Sequence, residues 1–258
     1  MKLKVLRADP AGNITLFVLD PVAASERAAV AARLMDLPGL GVEQVGFLCP
    51  PADGCDGRVE MMGGEVCGNA ARAFGLLLAR ARGGADQVRV QISGCGHPVT
   101  VKTDLAAGTA QAEMPLPRYI ERVRVAGHPV TLVHLGGIAH LVAEGVEPCM
   151  AFFREAEPLL AGIPDLDAYG VIFQKGDKLT PLVKVPATGS LVWEGSCGSG
   201  ALAANLVESM DLAGGEFVRD YIQPAGTVRA GSVWEDGRAT GAWIGGSVVL
   251  GEPFIVEL

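Results

Sequence analysis

Charged and aromatic residues are both scarce in this chain. Asp, Glu, Lys and Arg make up 19% of the 258 residues, and Phe, Trp and Tyr 5%. With 49% hydrophobic residues, so little charge excludes a disordered polymer and fits a globular domain with a sizeable core. A long apolar run is also missing. A bilayer span takes about 20 consecutive apolar residues, so no membrane partner is expected. The opening MKLKVLRADPAGN lacks the apolar stretch of a secretory signal, which makes a cytoplasmic protein the expectation. Basic clusters are absent too: Lys plus Arg number 21 against 29 Asp plus Glu, a net charge of −8. Nucleic acid is thereby excluded as a partner.

Cofactor signals are equally thin. None of the six lysines sits in a context that suggests a Schiff base, so pyridoxal phosphate is not implied. The segment GGEVCGNAARAFG has glycines but no Lys-Ser/Thr ending, so it is not a phosphate-binding loop. Six cysteines are present, without CxxC spacing, and a disulfide framework is not expected in a chain of this length without a signal. Cys49, Cys55, Cys95 and Cys149 read as small buried hydrophobes. His97 and His128 share the string Gly-His-Pro-Val-Thr and read as turns that open strands, with no acidic or Cys partner at metal-ligand spacing. The expectation is no metal and no organic cofactor.

What the chain does have is turn residues and short apolar segments. It holds 35 Gly and 16 Pro, punctuating strand-like runs at Ile14–Leu19, Val45–Leu48, Val88–Ile92, Val99–Val101, Thr131–Leu135 and Val171–Phe173. Residues 25–35 read as a surface helix with Ser25 as N-cap. Two further segments, GNAARAFGLLLAR (68–80) and GSGALAANLVESM (198–210), have helix length and are apolar almost all round. Arg72 alone breaks the first between Ala70 and Ala79, and Asn205 alone breaks the second between Gly200 and Val207. Such helices are buried on nearly all sides, and the chain reads as α/β, with two sheets each curled around its own helix.

The two helices also begin alike. Gly64-Glu65-Val66-Cys67-Gly68-Asn69-Ala70 matches Glu194-Gly195-Ser196-Cys197-Gly198-Ser199-Gly200. The cysteines lie 197 − 67 = 130 residues apart, about half the chain. Two homologous halves, 1–116 and 117–249, account for this, joined near Pro115-Leu116-Pro117.

A helix N-terminus presents unpaired N–H groups and a partial positive charge, so a cysteine there has its thiolate favoured. A substrate carboxylate can bind the same groups. Gly68 and Gly198 allow close approach, and Asn69 and Ser199 add donors. Two such helix ends facing one another would hold one α-carboxylate, with a sulfur on each face of the adjacent carbon. One thiolate then removes the α-proton while the opposite thiol delivers another, which is inversion by general acid–base catalysis. A single Cys-Gly at a helix start is weak support for chemistry; a matched pair is much stronger.

GGEVCGNAARAFG and EGSCGSGALAA resemble the paired cysteine motifs of the diaminopimelate epimerase and proline racemase superfamily. These are racemases and epimerases that work without pyridoxal phosphate. The resemblance runs in order from about residue 8 to 205 and implies the whole fold: two pseudo-symmetric halves, each a sheet wrapped around a central helix, with the terminal strand 250–258 returning to the first half. It implies Cys67 and Cys197 as the catalytic pair. ADPAGNITLFVLD resembles the family's Gly-Asn strand start and places Asn13 against substrate. GVEQVGFL brings Glu43 and Gln44 near the site, and LGGIAHLV places His140 beside it.

Departures bear on the substrate. Diaminopimelate epimerases carry an Arg after a Glu ahead of the second cysteine, where this chain has Val192-Trp193-Glu194-Gly195. Their Asn in Gly-Asn-Pro-His is Gly137 here, and a second distal Asn is replaced around Gly170. Donors for a second amino-acid head are missing. The wording GGE-x-CGNA and WEGSCGSG is more similar to histidine racemases of opine-metallophore pathways, which makes histidine the leading substrate. Glu65 and Glu194 are candidates for receiving the substrate ammonium or orienting the thiols, beside the alternative that a helix dipole simply favours acids there. Glu43 is a candidate for the ammonium or imidazole, or a solvated loop carboxylate. His140 reads as a hydrogen-bonded structural histidine in a substrate-lining place. Alternatives within the fold are a diaminopimelate epimerase and a hydroxyproline epimerase or dehydratase. A cysteine hydrolase and a non-catalytic amino-acid-binding protein lie outside it. A homodimer is left open.

Overall fold

The computed structural model describes residues 1–52, 54–186 and 189–258. The chain divides into two compact units, one made of Met1–Glu113 with Gly245–Leu258 and the other of Met114–Ile244. The first runs β1 (Lys2–Asp9), β2 (Thr15–Val18), α1 (Arg27–Met35), β3 (Gln44–Cys49), β4 (Gly57–Met61), α2 (Gly68–Ala81), β5 (Gln87–Ile92), β6 (Val99–Asp104) and β7 (Thr109–Glu113). The second runs β8 (Tyr119–Val125), β9 (His128–His134), β10 (Ile138–Glu144), α3 (Met150–Ala161), β11 (Ala168–Lys175), β12 (Lys178–Val185), β13 (Ser190–Trp193), α4 (Gly198–Ser209), β14 (Gly215–Gln223) and β15 (Gly226–Glu235). Strand β16 (Arg238–Ser247) leads back to the first unit, which β17 (Val249–Leu250) and β18 (Phe254–Glu257) complete.

Each unit is built to one plan. In the first, β1–β2 is antiparallel, β2–β3 parallel across α1, β3–β4 antiparallel, β4–β5 parallel across α2, and β5–β6 antiparallel. In the second, β9–β10 is antiparallel, β10–β11 parallel across α3, β11–β12 antiparallel, β12–β14 parallel across α4, and β14–β15 antiparallel. Parallel pairs need helical crossovers, and their strands are covered on both faces. Strand β2 (TLFV) is accordingly buried throughout, and β11 (AYGVIFQK) is buried at all but its last residue. Antiparallel β18 closes the first unit against β1, with Lys2 opposite Glu257 and Val5 opposite Phe254.

The inner helix of each unit is the centre of its core. Helix α2 buries Ala70, Ala71, Ala73, Phe74 and Leu76 among Val59, Val88, Val90 and Val101. Helix α4 buries Ala201, Leu202, Ala203, Ala204 and Leu206 among Val133, Ile172, Tyr221 and Val228. The outer helices cover the other faces, α1 through Val30, Ala31 and Leu34 and α3 through Phe152, Phe153, Ala156 and Leu160. Each fully buried Leu, Val or Phe contributes about 1.5–3 kcal/mol relative to exposure. The mixed α/β class and the wrapped inner helices agree with expectation.

Two local expectations need correction. Ser25 is not the N-cap: it lies within a 3-10 turn, Ala24–Glu26, and α1 starts after Glu26 without a side-chain cap. The turn's own bond, Glu26 N–H to Ala23 C=O at 2.9 Å, supplies the start that the serine was assigned. None of the four remaining cysteines is fully buried either, although Cys95 packs against the core of the first unit. Cys49, Cys55 and Cys95 are half-buried, and Cys149 is exposed at the start of α3.

Helix α2 meets its sheet so closely that one position has no room for a side chain. A Cβ on Gly75 would lie 2.5 Å from Val101 Cγ1 and 2.7 Å from Val101 Cβ. Gly75→Ala is therefore expected to destabilise by about 1–3 kcal/mol through overpacking, although alanine is the better helix former by about 1 kcal/mol. Urea unfolding measures the difference; an unchanged or raised midpoint would contradict the packing.

Candidate active site

The two cysteines occupy the same structural position in their units. Cys67 is extended, with φ −124° and ψ 108°, and N-caps α2, its Sγ accepting from the Ala70 N–H at 3.4 Å. Cys197 has φ −114° and ψ 110° and N-caps α4, its Sγ accepting from the Gly200 N–H at 3.4 Å. Each backbone carbonyl already belongs to the helix, receiving the N–H of Ala71 at 2.9 Å and of Ala201 at 3.0 Å. Both sulfurs thus sit in the positive end of a helix of 14 and 12 residues. That field stabilises the anionic form of a thiol.

In the first unit the sequence-predicted residues converge on Asn13. Its Oδ1 accepts from Gln44 Nε2 at 2.7 Å and faces Cys67 Sγ at 4.0 Å, while its Nδ2 donates to Glu43 Oε2 at 2.9 Å. Gln44 is held by a second bond to Thr15 Oγ1 at 2.7 Å. Burial raises the Glu43 carboxyl above its ordinary value, the Asn13 bond opposing and Asp9 adding to the rise. Asn13 stands at the end of a tight turn in which Ala11 and Gly12 have φ of 60° and 95°. Glu65 lies over the chain that leads to Cys67, its Oε2 occupying the space a Cβ on Gly63 would take. The Ser93 hydroxyl donates to the Glu65 carbonyl at 3.0 Å and fastens the same loop. Gly68 and Asn69 are buried in the first turn of α2.

Asn69 does not simply offer donors outward. Its Oδ1 accepts from Arg72 Nε at 3.2 Å, and the Arg72 fork also donates to the carbonyls of Ser247 at 2.9 Å and Pro10 at 2.8 Å. Arg72 is wholly buried. Burial lowers its pKa to about 10, opposed by the nearby Cys67 and Asp9, so it remains a cation at neutral pH. Sequence reasoning passed over this residue, although a lone charge in an otherwise apolar helix was the signal.

The second unit surrounds its thiol differently. His140 is fully buried on β10, and its Nε2 shares a hydrogen bond with Ser199 Oγ at 2.8 Å. Ser199 Oγ in turn lies 3.5 Å from Cys197 Sγ. Burial drives the imidazole down to about 3, so His140 is neutral. Glu194 also reaches this thiol. Burial first, then the charge and hydrogen bond of Glu194, push the Cys197 thiol well up, against the opposing bonds from Ser199 and the Gly200 N–H. Gly198 is buried beside it, and a Cβ at Gly200 would stand 3.2 Å from the sulfur.

Gln223 was not foreseen. At the end of β14 its carboxamide pairs with the Cys197 peptide on both sides, Oε1 accepting the Cys197 N–H at 2.6 Å and Nε2 donating to the Cys197 carbonyl at 3.1 Å. No sequence signal marked a glutamine 26 residues from the cysteine. Among the described residues, no group of three or more His, Cys, Asp and Glu is placed to hold a metal ion, and no helix is long and apolar enough to cross a membrane.

The chain as a whole has known relatives. A histidine racemase of Fusobacterium nucleatum is 31% identical over 214 residues, covering 78% of this chain and 78% of that protein. In fold, the chain is similar to a phenazine biosynthesis protein of the PhzF family from Bacillus anthracis, with a TM-score of 0.71 at 13% identity over 100% of both chains. It is likewise similar to a hydroxyproline epimerase from Agrobacterium vitis, with a TM-score of 0.65 at 13% identity over 99% of this chain and 92% of that one. The family model of the histidine racemase CntK N-terminal domain matches residues 2–252. With its cysteine-capped helices inside that match, this chain belongs to the histidine racemase CntK family.

Proposed function

We propose that this chain interconverts L- and D-histidine without a cofactor, using Cys67 and Cys197 as the two acid–base groups. The observation that carries the reading is the matched capping of two buried helices by thiols, in a chain of the histidine racemase family. Inversion at carbon needs a base on one face and an acid on the other. The backbone N–H groups at Gly68–Asn69 and Gly198–Ser199 take the α-carboxylate, where the helix ends favour an anion. As the thiolate removes the α-proton, charge passes through the α-carbon onto that carboxylate, and the same fixed dipoles stabilise it. The opposite thiol then gives up its proton, and the two sulfurs exchange protonation states. The next substrate of opposite hand restores them.

For the side chain, Glu43 is the receptor of the substrate's ammonium or imidazole, positioned through Asn13 and Gln44. A diaminopimelate head finds no equivalent donors. At Gly137 a Cβ would strike Asp167 Oδ2 at 2.6 Å, and at Gly170 it would strike the Leu182 carbonyl at 2.5 Å. A second carboxylate would meet an acid and a backbone carbonyl. A charged group buried without partners costs several kcal/mol, enough to suppress binding by orders of magnitude.

The deciding experiment incubates L-histidine with enzyme in deuterated water and follows the α-proton signal together with optical rotation. Both are expected to decay, with no added pyridoxal phosphate and after dialysis against EDTA. Retention of both signals by a folded enzyme overturns the reaction, and activity that needs a restored divalent metal overturns the cofactor-free reading.

Either Cys67→Ser or Cys197→Ser is expected to lower racemisation by about 10²–10⁴-fold or more, because a hydroxyl is a far weaker acid than a thiol. Each single variant retains at most α-proton exchange on one enantiomer. Substantial racemisation by both single variants would remove the two-base assignment.

LL-diaminopimelate is expected to have a kcat/KM at least about a hundredfold below that of L-histidine, from the several kcal/mol above. Glu43→Gln is expected to reduce kcat/KM for histidine by about 10–100-fold, the worth of a charged hydrogen bond of about 1.5–3 kcal/mol. Diaminopimelate turnover that equals histidine turnover would overturn the account of the side-chain pocket.

A further inference from the structure

We propose that His140 is a positioning residue: held as the Nε2–H tautomer, it commits the Ser199 hydroxyl to donate its proton to the Cys197 sulfur. The inference rests on the reading of Cys197 as an acid–base group and adds the direction in which the hydrogen bonds around it run.

Three side chains of the second unit stand in a row. His140 Nε2 lies 2.8 Å from Ser199 Oγ, and Ser199 Oγ lies 3.5 Å from Cys197 Sγ. Heavy-atom positions alone allow either direction, because a hydroxyl both donates and accepts, and a neutral imidazole offers one N–H and one bare nitrogen. The far nitrogen of the ring decides between them. His140 is fully buried on β10, and among the described residues its Nδ1 has no hydrogen-bond partner. An imidazolium there would bury a charge together with a second N–H that nothing receives. Burial, with no charge acting beside it, pushes the imidazole down to about 3, in keeping with a neutral ring. The Nδ1–H tautomer would likewise strand a donor in the core, and orphaned buried N–H groups are rare. The Nε2–H tautomer directs its single donor at Ser199 and leaves only a lone pair unmet.

Among the described residues the Ser199 hydroxyl has two partners, His140 Nε2 and Cys197 Sγ. With a lone pair taken by the imidazole N–H, its one proton is left for the sulfur. Cys197 Sγ then receives two fixed donors, this hydroxyl and the Gly200 N–H at 3.4 Å. Both favour the thiolate. When the thiol is protonated, its hydrogen points away from both. Glu194 is the charged group that acts on this thiol and hydrogen-bonds it, and the hydrophobic side chains packed with it are Ala168, Val183, Ile138 and Val185. The donors thus hold one side of the sulfur, and the proton that the reaction moves is kept off that side.

The first unit treats the equivalent oxygen in the same way. Two residues after Cys67, Asn69 Oδ1 accepts from the Nε of buried Arg72 at 3.2 Å. In each unit a buried N–H donor, on the helix itself in the first and on β10 in the second, fixes as an acceptor the side-chain oxygen two residues past the cysteine.

Two measurements on substrate-free, full-length enzyme test the proposal. The first is the nitrogen NMR spectrum of enzyme isotopically labelled at its histidines, with His140 identified by the signal lost in H140L. Ring nitrogen shifts separate the two neutral tautomers from each other and from the imidazolium. His140 is expected as the Nε2–H form, unchanged between about pH 5 and 8. An Nδ1–H tautomer, or an imidazolium in that range, overturns the proposal. The second is the rate of modification by methyl methanethiosulfonate at one pH, read by mass spectrometry on the Cys197 peptide with the Cys67 peptide as internal reference. Only thiolates react. In S199A the relative Cys197 rate is expected to fall about tenfold or more, the equivalent of one pH unit in its titration. H140L is expected to lower it in the same direction, and S199T, which keeps the hydroxyl, to retain it. A folded S199A with the wild-type rate overturns the donation, and a folded H140L with the wild-type rate overturns the part of His140 in it. A lost fold alone does not mimic these outcomes, because circular dichroism is recorded on each variant. Should H140L not fold, S199A identifies the signal, since His140 is the histidine that touches that hydroxyl, and the tautomer decides. Neither measurement contains histidine as substrate, so failure of the substrate assignment leaves both untouched.

Discussion

In both inner helices a sulfur does the work of an oxygen at the helix start, and the rest of each unit is arranged around that cap. The usual N-caps are Ser, Thr, Asp and Asn, whose oxygens satisfy an orphan N–H and are worth about 1 kcal/mol. A thiol is a weaker acceptor, and both contacts here are 3.4 Å, the spacing that sulfur's larger radius sets. The helices tolerate the weaker cap because their stability comes from burial. Ten of the fourteen residues of α2 and nine of the twelve of α4 are buried. Burial in turn requires small residues, and the runs of Ala and Gly in both segments let strands pack close on all sides. A core helix with a thiol cap thus meets two demands at once. The sulfur receives the field of the helix end, and the protein does not depend on the sulfur to hold the helix.

The surroundings keep each cap in place by different means. In the first unit the loop before Cys67 is fastened by backbone and hydroxyl contacts. Ser93 Oγ links the Met61 N–H at 2.8 Å to the Glu65 carbonyl at 3.0 Å, and Gly94 passes so close to Val66 that a Cβ would lie 2.9 Å from its backbone nitrogen. In the second, one carboxamide does the same job. Gln223 pairs with Cys197 as a neighbouring strand would, satisfying a buried N–H that a helix cap leaves exposed. The two units share a strand–helix plan down to the direction of each pairing and have diverged in the residues that dress it.

That contrast explains what was legible in the sequence. Helices α2 and α4 could be read because their signal is local: an apolar run, helix formers, and a repeated Cys-Gly at the front. The family match followed from the same words. Helix α3 was missed because Pro158 lies inside it and removes a backbone donor, and because its apolar residues Phe152, Phe153, Ala156 and Leu160 sit in a segment that also carries charge. The grouping of Asn13, Glu43 and Gln44 came from resemblance, and the parallel register that sets Thr15 opposite Gln44 brings them together. Gln223 and the Arg72 acceptors were beyond reach, since contacts from residue 72 to 10 and 247 exist only once the sheet has closed. The Cys149 error has the same origin: nothing local distinguishes a cysteine at an exposed helix start from one at a buried start.

Gly137 and Gly170 are bounded by different kinds of atom. The register of β10 with β11 sets His140 beside Gly170. At Gly170 a Cβ would strike a carbonyl of β12 at 2.5 Å and Val183 Cα at 3.1 Å. Both are main-chain atoms of a paired strand, and such a contact cannot be relieved by turning a side chain. Gly137 differs, because the obstacle there is the end of the exposed Asp167 side chain, which can swing away. Of the two positions where the superfamily resemblance expects asparagine, one is therefore closed by the sheet and the other only shaded by an acid. A side chain at position 170 would require moving β12, and with it β13 and the segment that leads to Cys197. The constraint at Gly170 is thus tied to the strand framework that leads to Cys197.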